Sequence, residues 1–135
     1  MTTASVTTSP DSPAPGPQMI LVAGPYRSGT GDDPAALAAN VRAMNRAALA
    51  LFRAGHFGVT GEALALPLLD AAGSERPGDA LFDEIFHPIA ERLLSRCDAV
   101  LRIAGASDGA DRMVEQARAE GKHVYASLDD VPAVR

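Results

Sequence analysis

The sequence predicts an α/β domain with a parallel sheet, and three observations lead to this fold class. Short apolar runs of strand length alternate with longer segments whose apolar residues recur at helical spacing. A glycine-rich loop separates the first run from the first helical segment. Gly55 and Gly121 each end a helical segment just before the next run. This alternation implies right-handed crossovers and therefore a parallel sheet with helices on both faces.

The first strand is predicted at 19–23, where a continuous apolar run suits a strand buried on both faces. Asp32 or Asp33 is the expected cap of the first helix, with Pro34 at the first helical position. Gly55 ends this helix. Its predicted apolar face consists of Leu37, Val41, Met44, Ala48 and Leu51.

The second strand is predicted at 57–60 and is followed by a loop through Glu62. A short helix at 64–69 and a flexible loop at 71–79 are expected next. Another helix follows, and Pro88 within it is expected to kink it or split it in two. The apolar residues of that helix are Phe82, Ile85, Phe86, Ile89 and Leu93.

The remaining elements are a strand at 99–103, a helix at 107–120 and a strand at 123–126. Together the pattern predicts a three-layer, Rossmann- or flavodoxin-like fold with a parallel sheet of four to five strands. The α/β domain is expected to occupy 19–135. Residues 1–18 are rich in Thr, Ser, Pro and Ala, and they cannot bury enough apolar surface to offset ordering, so a disordered tail is predicted.

Composition excludes several classes of partner. The 135 residues suffice for one core, and the net charge of −5 comes without a basic patch or any Trp, so no nucleic acid partner is expected. The apolar stretches fall far short of a membrane span, so no membrane partner is expected. The lone Cys97 suits a packed thiol in a reducing cytoplasm. No His or Cys pair has ligand spacing, so no metal and no cofactor are predicted.

The loop at 24–31 is the first candidate ligand site, because ligands of parallel α/β sheets collect beyond the carboxyl ends of the strands. Its glycines, Gly24 among them, let the backbone approach a ligand, and a helix begins just beyond. Arg27 adds a forked positive donor. A glycine-rich turn with a purely structural role is the alternative interpretation.

The loop at 105–111 is the second candidate, because it also opens a helix. The Ser107 hydroxyl and the Gly109 N–H are potential phosphate donors. In the alternative interpretation, Asp108 caps the helix and Asp111 completes an arrangement like a capping box. Two such loops facing one cleft favour a phosphorylated ligand.

Several stretches, in order and spacing, resemble the nucleoside 2-deoxyribosyltransferase-like proteins, especially a branch of small members whose first loop begins Gly-Pro-Tyr. The likeness covers 20–126. The stretches are Ile-Leu-Val-Ala-Gly-Pro-Tyr at 20–26, Arg-Ala-Gly-His at 53–56, Leu-Ser-Arg-Cys-Asp-Ala-Val at 94–100, Ser-x-Gly at 107–109 and Gly-Lys-His-Val at 121–124.

This resemblance implies a compact parallel α/β fold, a homo-oligomer of two or more copies, and a nucleoside or nucleoside 5′-monophosphate ligand. It implies that the first loop and the Ser-x-Gly loop hold the 5′-phosphate, and that Glu62 lines the sugar or base pocket. The implied phosphate-binding residues are Tyr26, Arg27, Ser28, Ser107 and Gly109. The predicted ligand contacts also include Gly24, Pro25, Glu62 and Met113.

The chain departs from the family at its catalytic positions. Met113 stands where the family has a nucleophilic glutamate, and Ala90 where it has a supporting aspartate; neither side chain can act as nucleophile or acid. Two hypotheses follow. The first is an enzyme acting on the N-glycosidic bond of a nucleotide, with acids drawn from Glu62, Asp83 or Glu84. The second is a non-catalytic nucleotide-binding or sensing module in which Met113 packs in the cleft.

Overall fold

A computed structural model describes residues 16–134 and has the predicted fold class. Those residues form a four-stranded, all-parallel sheet and four α-helices, as a three-layer, Rossmann- or flavodoxin-like fold requires. In chain order the elements are β1 (Met19–Ala23), α1 (Pro34–Arg53), β2 (Phe57–Thr60), α2 (Gly61–Ala72), α3 (Ala80–Ser95), β3 (Ala99–Arg102), α4 (Asp108–Ala119) and β4 (His123–Tyr125), followed by a 3₁₀ turn at Leu128–Asp130.

The predicted disorder of the tail at 1–18 falls mostly on residues 1–15, which lie outside the described residues, as does residue 135. Gln18 at the end of that range is buried. Its backbone N–H donates to His56 Nδ1 over 3.1 Å. His56 Nε2 lies 2.6 Å from the carbonyl oxygen of Pro132, so this imidazole ties the start of β1 to the end of the described chain.

Strand β1 lies inside the sheet, whose strand order is β2-β1-β3-β4. Its side chains alternate between two cores, because successive residues of a strand point to opposite faces. Ile20 and Val22 pack on the side that includes Met44 of α1. Leu21 pairs in register with Val100 of β3, and both pack on the opposite side, against α3 and α4. The continuous apolar run of β1 thus reflects burial on both faces.

The start of α1 confirms the predicted cap. Asp33 has extended backbone dihedrals, and its carboxylate accepts a hydrogen bond from the N–H of Ala36 over 3.0 Å. Pro34 is the first helical residue, where its missing N–H costs nothing. The helix therefore begins immediately after the glycine-rich loop.

The predicted loop through Glu62 is wrong, because β2 passes directly into α2. The Thr60 hydroxyl accepts a hydrogen bond from the N–H of Ala63 over 3.1 Å and so caps the helix at the last residue of the strand. Glu62 consequently lies in the first turn of α2. The helix, predicted at 64–69, extends to Ala72, and Gly73 ends it in the left-handed conformation.

Helix α3 is a single helix that Pro88 does not split, contrary to one of the two expected outcomes. Proline removes only one backbone hydrogen bond, and α3 packs against both α2 and α4. That packing keeps the turns on either side of Pro88 in one helix.

None of the helices within 16–134 is both long enough and apolar enough to cross a membrane.

Candidate functional site

A cavity of about 230 Å³ opens beyond the carboxyl end of β1. In the sheet, β2 lies on one side of β1 and β3 on the other, so the chain reverses its direction across the sheet at β1. The cavity lies at this point of reversal, where parallel α/β sheets commonly bind ligands. Its walls come from β1 and the loop after it, the start of α2, one face of α3 and the start of α4. The lining residues are Leu21, Val22, Ala23, Gly24, Tyr26, Arg27, Ser28, Gly61, Glu62, Phe82, Asp83, Phe86, His87, Ala90, Ser107, Asp108, Gly109, Ala110 and Met113.

Aromatic rings form one wall. The Tyr26 ring stacks on Phe86 with 5.2 Å between centroids, and Phe86 stacks on Phe82 at 4.5 Å. Asn40 Nδ2 donates a 2.7 Å hydrogen bond to the backbone oxygen of Tyr26, so α1 holds the loop that carries this ring. Burial, followed by the charge of Glu62, raises the pKa of the Tyr26 hydroxyl. These rings give the cavity a flat, apolar wall that carries one phenol hydroxyl, that of Tyr26.

Arg27 lies at the mouth of the cavity and is already paired. Its Nε and Nη2 donate to the two carboxylate oxygens of Asp32, each over 2.8 Å, and its guanidinium lies 5.3 Å from the Phe82 ring centroid. Both partners are exposed, so water screens the pair. A bound anion can therefore replace Asp32 as the partner of Arg27.

The first loop reaches the second through a close contact. A Cβ atom at Gly105, whose φ is 114°, would lie 2.6 Å from Pro25 Cγ, so only glycine fits there. A Cβ at Gly24 would lie 2.5 Å from Ile103 Cγ1. Gly24 and Ser28 line the cavity, whereas Pro25 supports the neighbouring loop without lining it.

The start of α4 differs from the predicted capping by Asp108 and Asp111. Ser107 is the N-cap, and its hydroxyl accepts from the N–H of Ala110 over 3.1 Å. Asp111 instead pairs with Arg102, with 3.0 Å between Oδ1 and Nη2. The extended backbone of Ser107 explains the shift, because a cap residue needs non-helical dihedrals. The Ser107 O–H remains a possible donor to a ligand, beside the first N–H groups of the helix.

Met113 and Ala90, the two positions where the resemblance implies carboxylates, both line the cavity. Met113 is buried in the first turns of α4 and packs in the core with Leu21 and Ala110. Ala90 is half-buried on α3, and a Cβ at Gly61 would lie 3.1 Å from its methyl group. The cavity surface at both positions is apolar.

The sequence matches no model of a known protein family, and a search of curated proteins found no relative. The resemblance to the nucleoside 2-deoxyribosyltransferase-like proteins therefore rests on its local motifs and their spacing. Within residues 16–134, no group of three or more His, Cys, Asp or Glu side chains has the geometry of a metal site.

Among residues 16–134, Glu62 is the one buried carboxyl that lines the cavity. Its residue is 8% exposed. Burial raises the pKa of this carboxyl to about 7, and a hydrogen bond from its own backbone N–H opposes the rise. At neutral pH the group is therefore present both as carboxylic acid and as carboxylate, so it can donate or accept a hydrogen bond in the cavity.

The two other candidate acids on α3 occupy different places. Asp83 lines the cavity at its exposed rim, whereas Glu84 is exposed and does not line it. One turn after Asp83, His87 also lines the cavity. A Cβ at Gly109 would lie 3.0 Å from His87 Cε1, so the imidazole rests on the start of α4. Burial, followed by the charge of Arg112, lowers the pKa of His87 and favours a neutral imidazole.

Sequence reasoning missed Phe86 and His87 as lining residues, although one signal was available. Asp83 and Ala90 were both considered as catalytic positions, and they are seven residues apart on one helix. Residues at i, i+3, i+4 and i+7 share a helix face, so the same face includes Phe86 and His87. Spacing along α3 alone was sufficient to place them beside Ala90.

Proposed function

We propose that this chain is a nucleoside 2-deoxyribosyltransferase-like protein that binds a nucleoside 5′-monophosphate, or a similar nucleotide, in the cavity beyond β1. One observation carries the proposal: two loops that each open a helix meet in a single cavity, beside an aromatic wall and a buried carboxyl. Helix N-termini and an exchangeable arginine suit a phosphate. Stacked rings and a hydrogen-bonding carboxyl suit a base and its sugar.

The arrangement of strands supports one orientation of the ligand. The two anion-binding loops follow β1 and β3, whereas Glu62 follows β2 on the other side of β1. A phosphate held at Arg27, Ser28, Ser107 and Gly109 leaves the nucleoside pointing toward Tyr26 and Glu62.

The apolar surface at Met113 and Ala90 favours a binding or sensing module over an enzyme with the usual chemistry. Glycosyl transfer through a covalent intermediate needs a carboxylate beside the anomeric carbon and a second acid. Glu62 supports the other candidate, an enzyme acting on the N-glycosidic bond, because a carboxyl with a pKa near 7 can protonate a leaving base. The cavity therefore supports nucleotide binding without glycosyl transfer by two carboxylates better than it supports the enzyme.

The proposal extends to assembly and cellular location. Helix α2 exposes Leu64 and Leu68 one turn apart, at 46% and 45%, which supports a homo-oligomer formed through this face. The single free thiol, Cys97, is buried in the core, and burial raises its pKa to about 11. A protein with one unpaired, packed thiol suits the reducing cytoplasm.

Thermal unfolding with added ligands tests the proposed nucleotide. Nucleoside 5′-monophosphates should raise the Tm more than the matching nucleosides do, because the phosphate adds contacts that the unfolded chain lacks. Arg27→Ala should weaken nucleotide binding about 10- to 100-fold, the scale of a hydrogen bond between charged groups.

Arg118→Ala is the matched control, because Arg118 is exposed on α4 and does not line the cavity. It should leave the affinity unchanged. Equal Tm shifts from nucleotides and nucleosides, or none with any of the common bases, would contradict the proposal.

A further inference from the structure

Glu62 differs from the other buried polar side chains among residues 16–134. The other three have hydrogen-bond partners: Gln18 bonds to Tyr125, His56 to Pro132, and Thr60 to the N–H of Ala63. The carboxyl of Glu62 has only its own backbone N–H within those residues. An unsatisfied buried polar group costs free energy, so its retention on a cavity wall points to a partner that enters the cavity.

The position of Glu62 selects the part of the ligand that it meets. It follows β2, whereas Ser107 and Gly109 follow β3, and β1 lies between these strands. Neighbouring strands are about 4.8 Å apart, so the carboxyl ends of β2 and β3 lie roughly 10 Å apart on either side of β1. A nucleotide with its phosphate at the start of α4 spans this gap and presents its base or sugar to α2.

We propose that Glu62 holds the nucleoside end of the ligand as a neutral carboxylic acid, donating its O–H to an acceptor atom of the base or sugar. This inference rests on the proposed nucleotide function and specifies that the Glu62 carboxyl is protonated in the complex. Binding at neutral pH converts the carboxylate fraction to the acid, so the complex takes up a proton from solvent. Glu62 is thereby a specificity residue for a hydrogen-bond acceptor.

The charged and titratable groups around the cavity agree with a neutral Glu62. Tyr26 and Arg27 line the cavity from the first loop, Asp83 and His87 line it from α3, and Asp108 lines it from α4. Arg27 is already paired with Asp32, and His87 favours its neutral form. Burial is the main influence on the Glu62 carboxyl, and it places the pKa at about 7. No strong cation therefore holds this carboxyl ionised.

The sign of the linkage follows directly. Below about pH 6 nearly all of Glu62 is protonated, so its contribution to affinity is complete there. As the pH rises through 7 the competent fraction falls, and the apparent dissociation constant rises in inverse proportion. Because the phosphate of the ligand also titrates near pH 6, its effect must be removed by comparison with a variant.

Isothermal calorimetry with the four common 2′-deoxynucleoside 5′-monophosphates, on wild type and Glu62→Gln, provides that comparison. The glutamine amide donates a hydrogen bond at every pH. From about pH 6 to about pH 8.5, the wild-type Kd for the best-bound nucleotide should rise roughly 30-fold more than that of Glu62→Gln, as a pKa of about 7 requires. Glu115→Gln, on the exposed side of α4, should follow the wild type.

Wild type alone gives a second measurement, which stands even if Glu62→Gln fails to fold. Calorimetry near pH 7 in two buffers of different ionisation enthalpy should show uptake of about half a proton more with the nucleotide than with methyl phosphate, a monoester whose phosphate titrates close to that of the nucleotide. Nucleotide binding without this extra uptake, or with equal pH dependence in wild type and Glu62→Gln, would overturn the role of Glu62 and leave the nucleotide function intact. Binding of methyl phosphate but of no nucleotide would overturn both.

Discussion

At the scale of single residues, the cavity combines a buried carboxyl with apolar side chains at the two positions where the resemblance implies acids. Met113 and Ala90 supply a thioether and a methyl group, and neither can form a glycosyl bond or transfer a proton. Glu62 supplies the only buried carboxyl on the walls among residues 16–134, on a different helix. The fold is therefore present in this chain without the two carboxylates that the resemblance implies.

Substituting Met113 tests that separation. The wild type should release little or no free base from deoxynucleoside monophosphates. Met113→Glu should gain measurable base release, because the new carboxylate lines the cavity at the position where the resemblance implies a nucleophile. Adding Ala90→Asp should raise the rate further by supplying an acid. Chromatography of the incubated substrate measures each rate.

Arg118→Glu is the control for Met113→Glu, because it places a carboxylate on the exposed side of the same helix. It should release no base. Turnover by the wild type that is abolished by Glu62→Gln, Asp83→Asn or Glu84→Gln would instead show that another acid set is in use, and that the binding module is the wrong interpretation.

At the scale of elements, the position of the cavity depends on how closely helices approach the sheet. A Cβ atom at Gly58 in β2 would lie 2.7 Å from the Cα atom of Ala48 in α1. Backbone atoms cannot move aside as a flexible side chain does. Helix α1 therefore rests directly on β2, and β2 leads without a loop into the turn that carries Glu62.

Gly58→Ala should therefore destabilise the fold by about 1–3 kcal/mol, the usual cost of forcing extra atoms into a packed interface. Urea unfolding measures the change. Gly16→Ala is the control, because no atom lies within 4 Å of a Cβ placed at Gly16, and it should leave the free energy of unfolding unchanged. An equally stable Gly58→Ala protein would show that α1 and β2 can separate at little cost.

At the scale of the whole molecule, apolar side chains remain on the outside of α2. Residues 64 and 68 are one helical turn apart and share a face. Helix α2 also supplies Glu62 to the cavity, so an interface through its outer face would lie next to that cavity. Such a contact fits a symmetric pair, because the same patch serves both copies.

Light scattering at micromolar concentration should show at least a dimer. The double substitution of Leu64 and Leu68 by Glu should produce a monomer, because charged side chains cannot be buried unpaired between two helices. Leu128→Glu, at a 41% exposed position in the 3₁₀ turn, is the control and should keep the wild-type mass. A monomeric wild type would refute the predicted homo-oligomer.

The sequence by itself determined the order of strands and helices along the chain and the loops that reach the cavity, and it restricted the cap of α1 to Asp32 or Asp33. These features depend on local signals: an apolar run reports burial on both faces, and a capping residue acts within its own turn. The loop predicted at Glu62 is the exception. Thr60 is a residue type that commonly caps a helix, and its hydroxyl does cap α2, so the first turn that contains Glu62 had a local signal.

Only the tertiary structure decided which side chains share the cavity and what their chemistry is. His87 and Gly109 are far apart in sequence and meet because α3 crosses the start of α4. The pKa of about 7 at Glu62 likewise depends on burial by elements that no local pattern around residue 62 describes. Periodicity in the sequence specifies which face of a helix or strand is buried. Contacts between elements that are distant in the chain determine what packs against that face, and these contacts set the pKa values of the groups there.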